Sequence, residues 1–126
     1  MLEVVAALIK DGEKFMLCRR PAHKARALQW EFPGGKIEKG ETAQEALIRE
    51  CCEEMDIGIA CEEEYMDLIH EYPDLTVHLH LIPCRIIAGE PRKIEHSDIR
   101  WVTLEEAFSY DLCPADRKFV ERMKAD

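Results

Sequence analysis

Long apolar runs are missing from this chain: the longest, Val4 to Ile9, spans six residues, against the roughly 18 that a bilayer-spanning helix needs. No membrane partner is expected. Glycine and proline are sparse, six of each in 126 residues, which excludes collagen-like and low-complexity classes. Basic residues are too few to balance the acidic ones, 17 Lys and Arg against 26 Asp and Glu, for a formal charge of −9. That deficit argues against a nucleic-acid partner, because general affinity for phosphate backbones comes from clustered cations. It leaves small polyphosphates open, since a divalent cation can stand between acidic side chains and phosphate oxygens. Paired CxxC spacings are absent as well. Cys51 and Cys52 are adjacent and Cys18, Cys61, Cys84 and Cys113 stand alone, so the cysteines read as reduced, mostly buried small hydrophobes. Met1-Leu2-Glu3 lacks the basic and apolar regions of a secretory signal, and the expected localisation is cytoplasmic.

What is present is a chain 47% hydrophobic and 34% charged, enough for one soluble globular domain over residues 1–126. Leu2 to Lys10 and Phe15 to Arg20 are β-prone and flank Asp11-Gly12-Glu13-Lys14, a hairpin with a DG turn. Residues 21 to 41 hold Pro21, Pro33, Gly34, Gly35 and Gly40, an irregular loop with a short strand near Trp30-Glu31-Phe32. Thr42-Ala43-Gln44-Glu45 has the form of a capping box and opens a helix through Met55. Ala60 to His70 and Leu75 to Ile87 read as an antiparallel strand pair around Tyr72-Pro73-Asp74, and Ile99 to Val102 as a further strand. Thr103-Leu104-Glu105-Glu106 repeats the capping box for a brief helix to Ser109, and Pro114 opens a terminal helix to Lys124. Strands flanking an inserted helix make the class α+β.

On the helix from Thr42 to Met55, Glu50, Glu53 and Glu54 fall within an arc of about 100°. Leu47, Ile48, Cys51, Cys52 and Met55 form an adjoining apolar stripe for the core. Acidic residues three and four apart repel by a few tenths of a kcal/mol per pair, so the face needs compensation. An ordinary solvated helix face is the simplest account of three glutamates taken alone. A Mg²⁺ or Mn²⁺ ion, which takes carboxylate, phosphate and water oxygens, is the alternative.

The flanking sequence distinguishes the two. Gly35, Glu41 six positions on, then Arg49-Glu50-Cys51-Cys52-Glu53-Glu54-Met55-Asp56-Ile57 resembles the box of the Nudix hydrolases, G-x5-E-x7-R-E-U-x-E-E-x-G-U with U apolar. Six fixed residues coincide by chance at a given start on the order of once in 10⁷ at average residue usage. Asp56 stands where the pattern has Gly, at a helix exit that favours a left-handed residue, a conformation Asp tolerates well. Arg19-Arg20-Pro21, Trp30 to Glu38 and Pro114-Ala115-Asp116 extend the resemblance to the MutT-type nucleoside triphosphate pyrophosphohydrolases over nearly the whole chain.

The resemblance implies the Nudix α/β/α sandwich with a mixed sheet, a nucleoside triphosphate substrate and dependence on Mg²⁺, with Mn²⁺ as an alternative. It implies Glu50, Glu53, Glu54, the Gly35 carbonyl and the later Glu95 as metal ligands, and Glu41 as an auxiliary acid. Arg49 orients the glutamates through charge-assisted hydrogen bonds. Glu53, or else Glu95, is the carboxylate that orients or deprotonates water. Arg20 resembles a phosphate-contacting arginine, and Asp116 stands where guanine-selective relatives carry Asn. Glu31 accompanies Asp116 in the base-side motif, and Phe32 and Tyr72 are stacking surfaces or core aromatics. His78 and His80 share a strand face and could bind metal or substrate, but a partly buried sheet face is the better account of them. Two substrate branches stay open, 8-oxo-dGTP and CTP or 5-substituted dCTP. So do an inactive nucleotide-sensing Nudix domain and a hydrolase of dinucleotides or nucleotide sugars, and a monomer or a homodimer fits equally.

Overall fold

The spine of the fold is β1 (Leu2–Asp11), whose residues alternate between two buried faces. In the computed structural model, which describes residues 1–126, the chain turns at Gly12, φ 63°, and returns as β2 (Lys14–Arg19). The breaker-rich stretch that follows holds β3 (Trp30–Glu31) and β4 (Gly34–Lys36). Only the first is expected from the sequence. β4 exists because Gly34, Gly35 and Lys36 pair with Ala6, Val5 and Val4, a tertiary pairing that overrides the poor strand propensity of glycine. Then come α1 (Ala43–Met55), β5 (Gly58–Cys61), β6 (Met66–Glu71), β7 (Thr76–Ala88), β8 (Asp98–Thr103), α2 (Leu104–Ala107) and α3 (Pro114–Ala125).

The segment Ala60 to His70 is two strands, not one. β5 pairs antiparallel with the far end of β7, Cys61 opposite Cys84, and β6 with its near end, Asp67 opposite His80. The break falls around Glu62-Glu63-Glu64, where successive carboxylates are poor strand formers. β1 and β7 run parallel from Leu2 and Val77 to Ile9 and Cys84, so the larger sheet is mixed. A smaller sheet of β3, β2 and β8 continues from the hairpin end of β1.

The two faces of β1 separate two cores. Val5, Ala7 and Ile9 pack with Ile82, Cys84 and the α1 residues Leu47, Cys51 and Met55. Ala6 and Leu8 pack with Leu17, Leu81 and the α3 residues Phe119 and Val120. The result is the expected α/β/α sandwich. All six cysteines are free, with Cys52 exposed and Cys61 partly so. No helix is long and apolar enough to cross a membrane.

Candidate active site

The ends of α1 are set locally. Thr42 Oγ1 accepts the Glu45 N–H at 3.1 Å while the Glu45 carboxylate accepts the Thr42 N–H at 2.8 Å, the reciprocal capping box. At the other end Asp56 takes the left-handed conformation, φ 57° and ψ 41°, and donates its N–H to the Cys52 carbonyl. Asp at the box's glycine position therefore does what glycine does there.

Between these ends the helix is rotated from the orientation its apolar residues suggest. Ala46, Leu47, Cys51 and Met55 are buried, but Ile48 is 43% exposed and Cys52 lies at the surface. At about 100° per residue the buried arc runs from Ala46 through Glu50 and Glu54 to Met55. Two of the box glutamates thus belong to the inward side of the helix. Glu53 alone stands at the rim, its side chain 60% exposed.

Room for Glu50 comes from β4. A Cβ on Gly35 would lie 2.5 to 2.7 Å from the Glu50 carboxyl atoms, so the missing side chain is the space the carboxylate fills. A Cβ on Gly34 would run into the Val5 backbone, 2.8 Å from its carbonyl carbon. The two glycines serve different ends, Gly34 the packing of strands and Gly35 the placement of Glu50.

Arg49 ties these parts together. Its guanidinium donates to both oxygens of Glu41 at 2.7 and 3.0 Å, to Glu50 Oε1 at 2.8 Å and to the Lys36 carbonyl at 3.1 Å. Glu53 Oε1 lies further off at 3.5 Å and Glu38 Oε1 at 3.6 Å. Glu41 also accepts the Glu38 N–H at 2.9 Å. The bond from Arg49 and then the one from the Glu38 backbone hold the Glu41 pKa below the usual carboxylate range. Arg49 thus makes directed hydrogen bonds to Glu41, Glu50 and the β4 backbone.

Glu54 is the strained member. Its Oε1 is buried with no hydrogen-bond partner. Burial, followed by the charge of Glu50 and the contact with it, pushes its pKa up to about 9. A buried carboxyl oxygen without a donor costs on the order of 1–3 kcal/mol. Glu50 and Glu54, with the backbone of Gly35 beside them, make an oxygen-only donor set short of positive charge. That is the composition a hard divalent cation requires, so these residues fit the metal. Glu95 lines the same cleft but is paired with Lys24, which lowers its pKa.

The cleft, about 420 Å³, runs from Gly35, Glu50 and Glu54 to Glu31 and Asp116. Arg20 sits at its side, donating to Glu31 at 2.9 Å and to the Ala25 carbonyl at 2.7 Å. Burial works against the Arg20 charge, but Glu31 more than restores it and its pKa is raised. At the far end Asp116, three residues before the buried Phe119-Val120 pair, is itself buried and accepts the Phe32 N–H at 3.0 Å. Burial and then the charge of Glu31 push Asp116 up to about 8. Carboxyl oxygens of Glu31 and Asp116 and the Cys113 sulfur lie within 4.8 Å of one another.

The two aromatics differ from simple stacking surfaces. Phe32 is a core residue, 3% exposed, its ring 5.6 Å from that of Phe15 and 6.4 Å from that of Phe119. It also lines the cleft. Tyr72 carries Arg26 over its ring at 4.1 Å and His70 against it at 4.4 Å. Its hydroxyl accepts the Ala115 N–H at 3.1 Å, so Tyr72 braces the start of α3. Sequence reasoning also passed over Lys24 as the partner of Glu95, and His96 as the buried neighbour of Glu31 at 3.3 Å. A histidine directly after a candidate ligand glutamate was the available signal for the second.

A family model for the NUDIX domain matches residues 4–122, and the chain belongs to that family. The CTP pyrophosphohydrolase of Escherichia coli (strain K12) is 38% identical over 125 residues, 99% of this chain and 93% of that one. The 8-oxo-dGTP diphosphatase of the same organism is 31% identical over 124 residues, 98% of this chain and 96% of that one. Among solved structures, the MutT protein from Methanosarcina mazei Go1 superposes with a TM-score of 0.87 at 27% identity, covering 98% of this chain and 93% of that one.

Proposed function

We propose that the protein is a MutT-type pyrophosphohydrolase that cleaves a nucleoside triphosphate to the monophosphate and pyrophosphate, with Mg²⁺ as its metal and Mn²⁺ as an alternative. The observation that carries this reading is the Glu50 and Glu54 pair beside Gly35, an inward-facing acidic site in which Arg49 meets Glu50 but Glu54 Oε1 has no partner, opening on a nucleotide-sized cleft. Intact glutamates at 41, 50, 53 and 54 favour an enzyme over a sensor domain.

Glu50, Glu53, Glu54, the Gly35 carbonyl and Glu95 are the groups that would hold metal. When bound, the cation neutralises polyphosphate charge and acidifies a coordinated water. Arg49 keeps Glu41 and Glu50 fixed throughout. A carboxylate at the rim, Glu53 first and Glu95 second, takes the proton of the attacking water. The water oxygen bonds to the β-phosphorus, the bond from that phosphorus to the α–β bridging oxygen breaks, and the monophosphate leaves with that oxygen. Arg20, at the cleft wall, is placed to meet a phosphate oxygen by exchanging part of its contact with Glu31.

Asp116 addresses the base. A protonated carboxyl group offers one donor and one acceptor, the complement of the N3 and N4 edge of cytosine. This favours CTP or a 5-substituted dCTP, in line with the name of the E. coli pyrophosphohydrolase. Oxidised guanine also places a donor beside an acceptor, N7–H beside O6, so 8-oxo-dGTP is the second reading, supported by the diphosphatase relative. The test is pyrophosphate release from CTP, dCTP, 5-substituted dCTP, dGTP and 8-oxo-dGTP. Highest kcat/KM for a cytosine nucleotide supports the first reading. Highest kcat/KM for 8-oxo-dGTP replaces it with the second, and no release from any of them overturns both.

A further inference from the structure

A second group of ligating side chains lies on the α1 side of the mixed sheet, apart from the catalytic cleft. β1 supplies Glu3, β7 supplies His78 and His80, β6 supplies Asp67, and the segment before β6 supplies Glu64. Strand register builds it: Glu3 is opposite His78 and Val5 opposite His80, and alternation puts both rings on one face. Val5 has Gly35 as its partner on the other side, so His80 stands two strand spacings, roughly 10 Å, from Gly35.

The nitrogens of the two rings are sorted inward and outward. His78 Nδ1 is 3.0 Å and His80 Nε2 2.9 Å from the same oxygen, Glu3 Oε1. The outer nitrogens meet separate carboxylates, His78 Nε2 with Asp67 at 2.7 Å and His80 Nδ1 with Glu64 at 2.6 Å. The ligand atoms of Glu3, His78 and His80 lie within 4.8 Å of one another.

Proton bookkeeping makes this arrangement costly as a hydrogen-bond network alone. Four ring nitrogens face carboxylate oxygens, but a neutral imidazole has only one N–H. Two neutral rings leave two lone pairs against carboxylates, and two protonated rings set like charges 4.1 Å apart between centroids. A dication at the inner position removes the conflict. Each ring then directs its lone pair inward and donates its N–H outward to Asp67 or Glu64, the carboxylate–histidine–metal pattern in which the outer acid fixes the tautomer. Tetrahedral ligation at about 2.0–2.1 Å puts ligand atoms about 3.3 Å apart, a few tenths of an ångström wider than the two nitrogen-to-Glu3 spacings. Two imidazoles and one carboxylate select Zn²⁺ or a similar late transition-metal dication over Mg²⁺, which prefers oxygen alone.

We propose that Glu3, His78 and His80 form a binding site for a zinc-class dication, separate from the catalytic centre, with Asp67 and Glu64 orienting the two imidazoles. Bound metal ties β1 to β7 directly and β6 to them through Asp67.

The test is calorimetric titration of the full-length chain with zinc chloride in excess Mg²⁺, with cobalt(II) absorbance as a second readout. One saturable equivalent is expected, weakened at least about tenfold in His78→Ala and in His80→Ala, and about ten- to hundredfold in Asp67→Asn. Both histidine variants keep Mg²⁺-dependent turnover in zinc-free buffer, which verifies that they fold. Cobalt(II) is expected to give the intense visible bands of four-coordinate nitrogen ligation in the wild type and in Glu50→Gln, and to lose them in His80→Ala. Absence of saturable zinc binding, an equivalent that survives both histidine substitutions, or one abolished by Glu50→Gln overturns the proposal.

Discussion

Arg49 grips both oxygens of Glu41, at 2.7 and 3.0 Å, across the loop that precedes α1. The same guanidinium reaches Glu50 and the Lys36 carbonyl, so one planar group fixes the loop, β4 and the helix relative to one another. Lysine carries the charge but not the fork. Arg49→Lys is expected to lower kcat/KM about ten- to hundredfold, with circular dichroism unchanged. A variant with wild-type kinetics would show that the fork is dispensable.

The adjacent glycines separate stability from activity. In Gly35→Ala the new methyl meets the flexible end of Glu50, which can swing aside. The fold is expected to persist while turnover drops by orders of magnitude. In Gly34→Ala the methyl meets Val5 backbone, and a marked fall in melting temperature is expected. Thermal melts and steady-state rates on the pair check both, and equal melting temperatures would contradict the division.

Glu54 gives a prediction of opposite sign in two conditions. Without metal, its buried unpartnered carboxylate beside Glu50 is a cost, so Glu54→Gln is expected to raise the melting temperature of the metal-free protein. With millimolar Mg²⁺ the wild type gains stability by mass action and the variant gains little. Differential scanning fluorimetry reads both, and a variant that is destabilised without metal refutes this account of Glu54.

Asp116 makes stability depend on pH. Its folded pKa, about 8 against the ordinary aspartate value of about 3.8, means that between these values the folded chain holds a proton the unfolded chain has lost. Its contribution to stability is thus full below about pH 4 and declines as pH rises towards 8. Asp116→Asn removes this dependence and is expected to be more stable than wild type at pH 8. Urea melts across that range check the sign, and an unchanged pH profile counts against the buried proton.

Much of this was legible in the sequence. The DG hairpin, both capping boxes and the left-handed Asp56 follow from residues acting on their immediate neighbours. The site is proposed from the likeness of Gly35, Glu41, Arg49 and the box glutamates to the Nudix pattern, since helix geometry alone leaves an ordinary solvated face as the simplest account of three glutamates. What stayed hidden depends on long-range pairing. β4 needs Val5 as a partner, and the break between β5 and β6 needs both ends of β7. The inward rotation of α1, which buries Glu54 and exposes Ile48, depends on the gap left by Gly35 and cannot be read from the apolar stripe. Of the two readings open for Phe32 and Tyr72, the packing of Phe32 with Phe119 and of Tyr72 with Arg26 depends on residues distant in the chain.

Hydrolysis of CTP in ¹⁸O-water, followed by phosphorus NMR with and without Mg²⁺, tests the central claim most directly. Mg²⁺-dependent formation of CMP and pyrophosphate is expected, with the label in pyrophosphate, and loss of that reaction by orders of magnitude in Glu53→Gln. Release of CDP and inorganic phosphate, label in CMP, or a rate indifferent to Mg²⁺ and to Glu53 would contradict it.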